Sequence, residues 1–194
     1  MSSKNLNEGK VIIFSAPSGA GKTTIVRALL NKISELSFSI SACSRAPRGK
    51  EVNGKDYHFI GIEGFKNKIK NNEFAEWEEV YQDHFYGTLN SELNRIWNEN
   101  KTVVFDVDVV GGMNLKKKFG KNALAIFVMP PSLLVLEERL RKRNTDSEQK
   151  IQQRLAKAEK EISLSSNFDF IIKNDKLEIA ISEANAIINQ FLVS

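Results

Sequence analysis

The chain has 194 residues, a length that suits one domain with a sizeable buried core, and Lys and Arg outnumber Asp and Glu by 28 to 24. The resulting formal charge of +4 favours anionic ligands without choosing between nucleotides, nucleic acid and acidic lipid. The single cysteine, Cys43, excludes an internal disulfide framework and a thiolate metal cluster, and no apolar run approaches the ~20 residues of a membrane-spanning helix.

In chain order, residues 1–9 are polar and lack the apolar core of a signal peptide, so a cytoplasmic protein is expected. The apolar run at residues 11–14 predicts a buried strand, and the three-to-four spacing at 24–33 predicts a helix. Between them stands Ala16-Pro17-Ser18-Gly19-Ala20-Gly21-Lys22-Thr23-Thr24. Gly19 and Gly21 let the backbone bend so that successive N–H groups face an anion, and the helix N-terminus adds its partial positive charge. Lys22 then reaches the outer phosphates of a nucleotide, and the Thr23 hydroxyl sits where a phosphate-bound Mg²⁺ takes an oxygen ligand. Ala16 occupies the position of the first glycine in the usual pattern, which is tolerated where the backbone needs no positive φ. The strand, loop and helix together read as a nucleotide-binding device.

From residue 37 to 88 the rhythm changes to short strand-like pieces, turns at Pro47-Arg48-Gly49 and Asn53-Gly54, one helix near 63–70, and scattered aromatics. This segment is expected to be an inserted lobe. Helix at 91–97, strand at 102–105, strand at 123–129, helices at 133–140 and 151–162, strand at 170–172 and helix at 179–192 complete the chain. The alternation predicts a doubly wound parallel α/β sheet as the core, formed by residues 1–36, 89–131 and 159–194. Residues 132–158, rich in Arg and Lys, are expected to form a basic helical lid. Met113 and Met129 read as core filler, and His58 and His84 lack partners at metal-ligand spacing.

Transfer of a phosphoryl group calls for positioned cations, because charge spreads over the phosphate oxygens as the old bond loosens. Three places supply them: Lys22 from the loop, Arg45 and Arg48 from the insertion, and Arg139, Arg143 and Arg154 from the lid. No general base is demanded, since an acceptor phosphate is already ionised at neutral pH. Asp106, at the end of the strand at 102–105, suits a carboxylate that positions Mg²⁺ through water beside Thr23, the plainer alternative being a cap on the next helix.

The chain resembles the guanylate kinase family from its first strand to its last helix. The resemblance is carried by the phosphate loop, Ser44-Arg45-Ala46-Pro47-Arg48, Glu51-Val52-Asn53-Gly54-Lys55-Asp56-Tyr57, Phe74-Ala75-Glu76-Trp77, Tyr86-Gly87-Thr88, Asp106-Val107-Asp108 and the arginines from Arg139 to Arg154. It implies a P-loop core that transfers the γ-phosphoryl group of ATP to GMP, with dGMP as an expected alternative acceptor and Mg²⁺ as the cofactor. It puts Arg45, Arg48, Tyr57 and Tyr86 on the GMP phosphate, Ser41, Glu76, Thr88 and Asp108 around the guanine, and Ala16 to Thr24 with Asn174 on ATP. Glu76 has independent physical support: guanine presents N1–H and N2–H₂ side by side to one carboxylate, whereas adenine has an acceptor at N1 and no N2 amine. Three departures from the family pattern stand out: Val110 where Gln is common, Asn144 where the lid usually has Gly, and one extra residue between Glu76 and Tyr86.

Three rival readings have their own signatures. A kinase acting on a ribosyl bisphosphate would keep the loop and lid but not Glu76 and Tyr86, and a peptide-binding relative would be expected to lose Gly21-Lys22-Thr23. A nucleic-acid binder would show a basic stripe instead of basic groups at separate places. Neither nucleic acid nor membrane is therefore an expected partner, and the sequence leaves monomer or homo-oligomer open.

Overall fold

The computed structural model describes residues 9–142 and 147–194. Its core is a five-stranded, all-parallel sheet of β1 (Val11–Ser15), β2 (Leu36–Phe38), β7 (Thr102–Val107), β8 (Ala123–Met129) and β9 (Phe170–Lys173), in the order β2-β7-β1-β8-β9. β1 lies at the centre, and all five of its residues are buried because both faces of the sheet are covered. Ile12 and Phe14 face α1 (Lys22–Lys32) and α7 (Leu177–Val193), with Leu29 and Ile188 in the same cluster. Val11 and Ile13 face the opposite way, toward α3 (Asn90–Asn98) and α4 (Val109–Phe119), where Ile96, Leu115 and Phe119 complete a second cluster. Met113 and Met129 pack against that second cluster. The doubly wound α/β core is thus present.

Two elements differ from the sequence reading. β2 pairs with β7 through Leu36–Thr102, Ser37–Val103 and Phe38–Val104, so the first residues of the segment expected as an insertion belong to the core sheet. α4 was not among the expected helices; Gly111 and Gly112 interrupt its apolar pattern and lower its helix propensity. The glycine is required by packing: a Cβ on Gly112 would stand 2.3 Å from the Ser15 hydroxyl oxygen, so this helix approaches the end of β1 closely.

Beyond the core, β3 (Ala42–Cys43), β4 (His58–Phe59), β5 (Phe74–Tyr81) and β6 (His84–Leu89) form a separate mixed sheet in the order β4-β3-β6-β5. α2 (Gly61–Lys70) packs on it through Phe65, whose ring stacks on Phe74 at 4.3 Å and on Phe85 at 5.4 Å between centroids. The β5–β6 pairing shifts register between Phe74 and Glu76 and again between Glu79 and Tyr81. α5 (Leu133–Lys142) and α6 (Glu148–Ser163) pair through Leu136, Leu140, Ile151 and Ala158. Ser147 caps α6 by accepting the Lys150 N–H. Arg143 and Asn144 lie outside the described residues. Among the described residues, no helix is long and apolar enough to cross a membrane.

Candidate active site

β1 ends at Ser15, and the chain turns through Ala16 to Gly21 before α1 begins at Lys22. Gly19 at φ 99° and Gly21 at φ 95° provide the left-handed turns, while Ala16 is absent from the positive-φ residues, so its methyl group causes no strain. Gly21 is also crowded: a Cβ there would lie 2.3 Å from Asn174 Nδ2. Replacing Gly21 by Ala is therefore expected to lower the melting temperature by roughly 5–10 °C and to raise the KM for ATP, as thermal denaturation and steady-state kinetics would show.

The loop is braced from below. Asn174, 4% exposed, donates from Nδ2 to the Ala20 carbonyl at 2.7 Å, and Arg139 donates to the carbonyls of Ala20 at 3.3 Å and Asn174 at 3.0 Å. Both residues therefore meet the loop backbone, and neither lines the cavity above it. Arg154, on α6, donates to the Ser18 hydroxyl and closes the loop from the other side.

That cavity, about 580 Å³, is walled by the phosphate loop, the end of β7 and one face of α6. At its floor Lys22 Nζ pairs with Asp106 Oδ1 at 2.5 Å and donates to the Val107 carbonyl at 2.6 Å. Thr23 donates to the other Asp106 oxygen at 2.8 Å, so the two oxygen-bearing side chains expected beside the metal are adjacent. The helix cap weighed for Asp106 belongs instead to Asp108, whose Oδ1 accepts the Gly111 N–H at 2.8 Å. Asp108 Oδ2 faces Lys157 Nζ at 3.8 Å. Lys157 also reaches Glu161 at 3.5 Å, a buried carboxyl whose pKa burial pushes up.

Lys157 and Glu161 line the cavity, yet the sequence reading passed them over. Their signal was available: three and seven residues after Arg154, they share its helix face.

In the mixed sheet, Glu76 on β5 pairs across the ladder with Thr88 on β6, and the Thr88 hydroxyl donates to Glu76 Oε1 at 3.0 Å. Burial raises the Glu76 pKa to about 7; the Thr88 hydrogen bond opposes that shift and the nearby Asp108 charge adds to it. Gly111 marks the meeting point, since a Cβ there would lie 3.2 Å from Asp108 Oδ1 and 3.9 Å from Glu76 Oε2. Two carboxylates from two sheets thus converge beside the phosphate-loop cavity. Ser41 stands at the start of this sheet, where its carbonyl accepts the His58 N–H at 2.9 Å.

Arg45 follows β3, and its guanidinium lies 5.0 Å from the Tyr57 ring centroid and 5.5 Å from that of Phe59. Its Nε donates to the Tyr86 hydroxyl at 3.0 Å, and Glu51 accepts from both of its terminal nitrogens. That pairing first, and the Arg48 N–H second, hold the Glu51 pKa down at about 2. The Arg48 side chain is exposed on the adjoining loop. Three of the residues expected on the acceptor phosphate, Arg45, Tyr57 and Tyr86, therefore converge on one cup, and Glu51 is an additional member.

A family model described as guanylate kinase matches residues 8–191. The chain is 52% identical over 184 residues to a guanylate kinase of Porphyromonas gingivalis, with 94% of this chain and 98% of that one covered. It is 51% identical over 185 residues to one of Bacteroides fragilis, with 95% and 91% covered. The crystal structure of guanylate kinase from Anaplasma phagocytophilum superposes with a TM-score of 0.73 at 28% identity, covering 94% of this chain and 85% of that one. With a family model matching residues 8–191 and relatives about half identical over nearly their whole length, the chain belongs to the guanylate kinase family.

Proposed function

We propose that the protein transfers the γ-phosphoryl group of ATP to GMP, giving ADP and GDP. The observation that carries this reading is Glu76, a partly buried carboxylate held by Thr88 between the arginine cup and the phosphate-loop cavity. Ionised, it accepts both N1–H and N2–H₂ of guanine, and the second oxygen of Asp108 and the Thr88 hydroxyl oxygen offer further acceptors nearby. The GMP phosphate is taken by Arg45, Arg48, Tyr57 and Tyr86, and ATP by the loop from Ala16 to Thr24. The contacts named run to base and phosphate, none to the ribose 2′ position, so dGMP serves as a second acceptor.

Thr23 and Asp106 present hard oxygen donors side by side, a set that fits Mg²⁺ held mainly by phosphate oxygens and water. When bound, Mg²⁺ neutralises charge on the ATP phosphates. Lys22 exchanges the Val107 carbonyl for a phosphate oxygen, and Arg154 supplies further positive charge while Arg139 braces the loop; the sequence offers Arg143 for the same role. An oxygen of the GMP phosphate forms the new bond to the γ-phosphorus, and the bond from that phosphorus to the bridging oxygen of ADP breaks. No proton has to be removed from the acceptor, so orientation and charge neutralisation carry the acceleration.

The acceptor cup and the ATP cavity are walled by different elements, so the mixed sheet of β3 to β6 and the lid helices α5 and α6 have to close over the core to bring the phosphates in line. We place the protein in the reducing cytoplasm, in keeping with a chain whose single cysteine forms no internal disulfide. With γ-labelled ATP and GMP, the label is expected to appear in GDP. Release of label as inorganic phosphate at one rate with or without GMP would overturn the reading.

A further inference from the structure

The Arg45 side chain is only 8% exposed, and a buried cation has to have its donors used. Of its five N–H groups, Nε–H goes to the Tyr86 hydroxyl, and those on Nη1 go to the Ala46 carbonyl at 3.0 Å and Glu51 Oε2 at 2.5 Å. One on Nη2 goes to Glu51 Oε1 at 2.8 Å. The same carboxylate accepts the Arg48 backbone N–H at 2.7 Å, so Glu51 ties the guanidinium to the loop that carries the second arginine.

Two donors are thereby aimed. The remaining Nη2 N–H has its direction fixed by the fork, and the Tyr86 oxygen, already accepting from Arg45, has to turn its own hydrogen toward a different acceptor. Both are set by the rotation of one planar group, and Glu51 fixes that rotation with two parallel hydrogen bonds.

We propose that Glu51 is a positioning residue for the acceptor phosphate: it locks Arg45, through Arg45 it directs the Tyr86 O–H, and through Arg48 N–H it holds the loop bearing the second cation. This rests on the reading of the cup as the seat of the GMP phosphate. The opposite arrangement, in which Glu51 merely occupies the seat and is displaced by the nucleotide, does not account for its third bond to the Arg48 backbone. That bond ties the carboxylate to its own loop independently of Arg45.

The test is Glu51→Gln, which keeps the size of the side chain but turns an N–H₂ toward one of the Arg45 donors. The KM for GMP is expected to rise by about tenfold to a hundredfold, with the KM for ATP within about twofold of the parent and kcat changing less than the GMP KM. Guanosine, which has the base but no phosphate, is expected to inhibit competitively with an unchanged Ki. Tyr86→Phe is expected to raise the GMP KM as well, and the double variant to lose less than the product of the two single effects, because both act along one line of hydrogen bonds. Glu51→Asp, which keeps a carboxylate, is expected to recover part of the loss and provides the same readouts where Glu51→Gln folds poorly.

An unchanged or lowered GMP KM in the Glu51 variants, with Tyr86→Phe raising it, overturns the role of Glu51. A guanosine Ki that rises in step with the GMP KM also overturns it, since Glu51 would then only be holding the lobe together. If neither Glu51 nor Tyr86 variants alter the GMP KM, the phosphate-seat reading beneath the proposal fails instead.

Discussion

Replacing Lys22 by alanine is expected to lower kcat by about 10³-fold, or ~4 kcal/mol of transition-state stabilisation, while the melting temperature moves by only a few degrees. The ammonium sits at the mouth of the loop, where it holds Asp106 and the Val107 carbonyl, and these are the partners it can leave as phosphate charge develops. The Lys22 side chain, at the start of α1 and 14% exposed, faces the polar floor of the cavity, while α1 and β1 are anchored by Ile25, Leu29, Ile12 and Phe14, so its loss costs the fold little. Steady-state assay of ADP formation with melting curves separates the two effects. A variant that turned over near the parent rate would remove Lys22 from the mechanism.

Glu76→Gln is expected to cut kcat/KM for GMP on the order of 10²-fold and to erode discrimination against AMP by a similar factor. An amide keeps one acceptor but presents its own N–H₂ where guanine also offers donors. The pH dependence distinguishes this from simple disruption. With the carboxyl pKa at about 7 in the ligand-free protein, guanine binding has to expel a proton below that pH. The KM for GMP should then rise roughly fivefold as pH falls from about 7 to about 6, below which the nucleotide phosphate itself protonates. The glutamine variant should be flat over that range.

Stability shifts in the matching sense. The folded carboxyl holds its proton to a higher pH than the unfolded one, so stability falls as pH rises from 4.5 through about 7. Glu76→Gln escapes that loss and should be more stable than the parent at pH 8, by up to roughly 3 kcal/mol, and little different at pH 4. An unchanged GMP preference, or a stability difference of opposite sign, would refute the assignment.

The strands of the parallel core were legible in the sequence because burial on both faces leaves an unbroken apolar signal, as at Val11 to Phe14 and Ala123 to Val128. β2 was not, since it has three residues and only Leu36 among them is buried. α4 was hidden by Gly111 and Gly112, which cost helix propensity but let the helix settle against Ser15. Residues on motifs, such as Lys22, Glu76 and Tyr86, could be named from spacing and resemblance alone. What spacing does not convey is pairing: that Asp108 and not Asp106 caps α4, that Asn174 and Arg139 brace the loop from beneath, and that Glu51 takes the Arg45 fork. These follow from which loops the two sheets bring together, and a linear pattern carries no record of that.

The central claim is that one ionised carboxylate, Glu76, makes this a kinase for guanine nucleotides. The most direct measurement is ADP release from ATP and Mg²⁺ with GMP, AMP, CMP, UMP or ribose 1,5-bisphosphate offered one at a time at pH 8. Turnover with GMP exceeding that with every other acceptor by at least about 10²-fold in kcat/KM is the result expected. Comparable turnover with AMP, or faster turnover with the ribose bisphosphate, would contradict it.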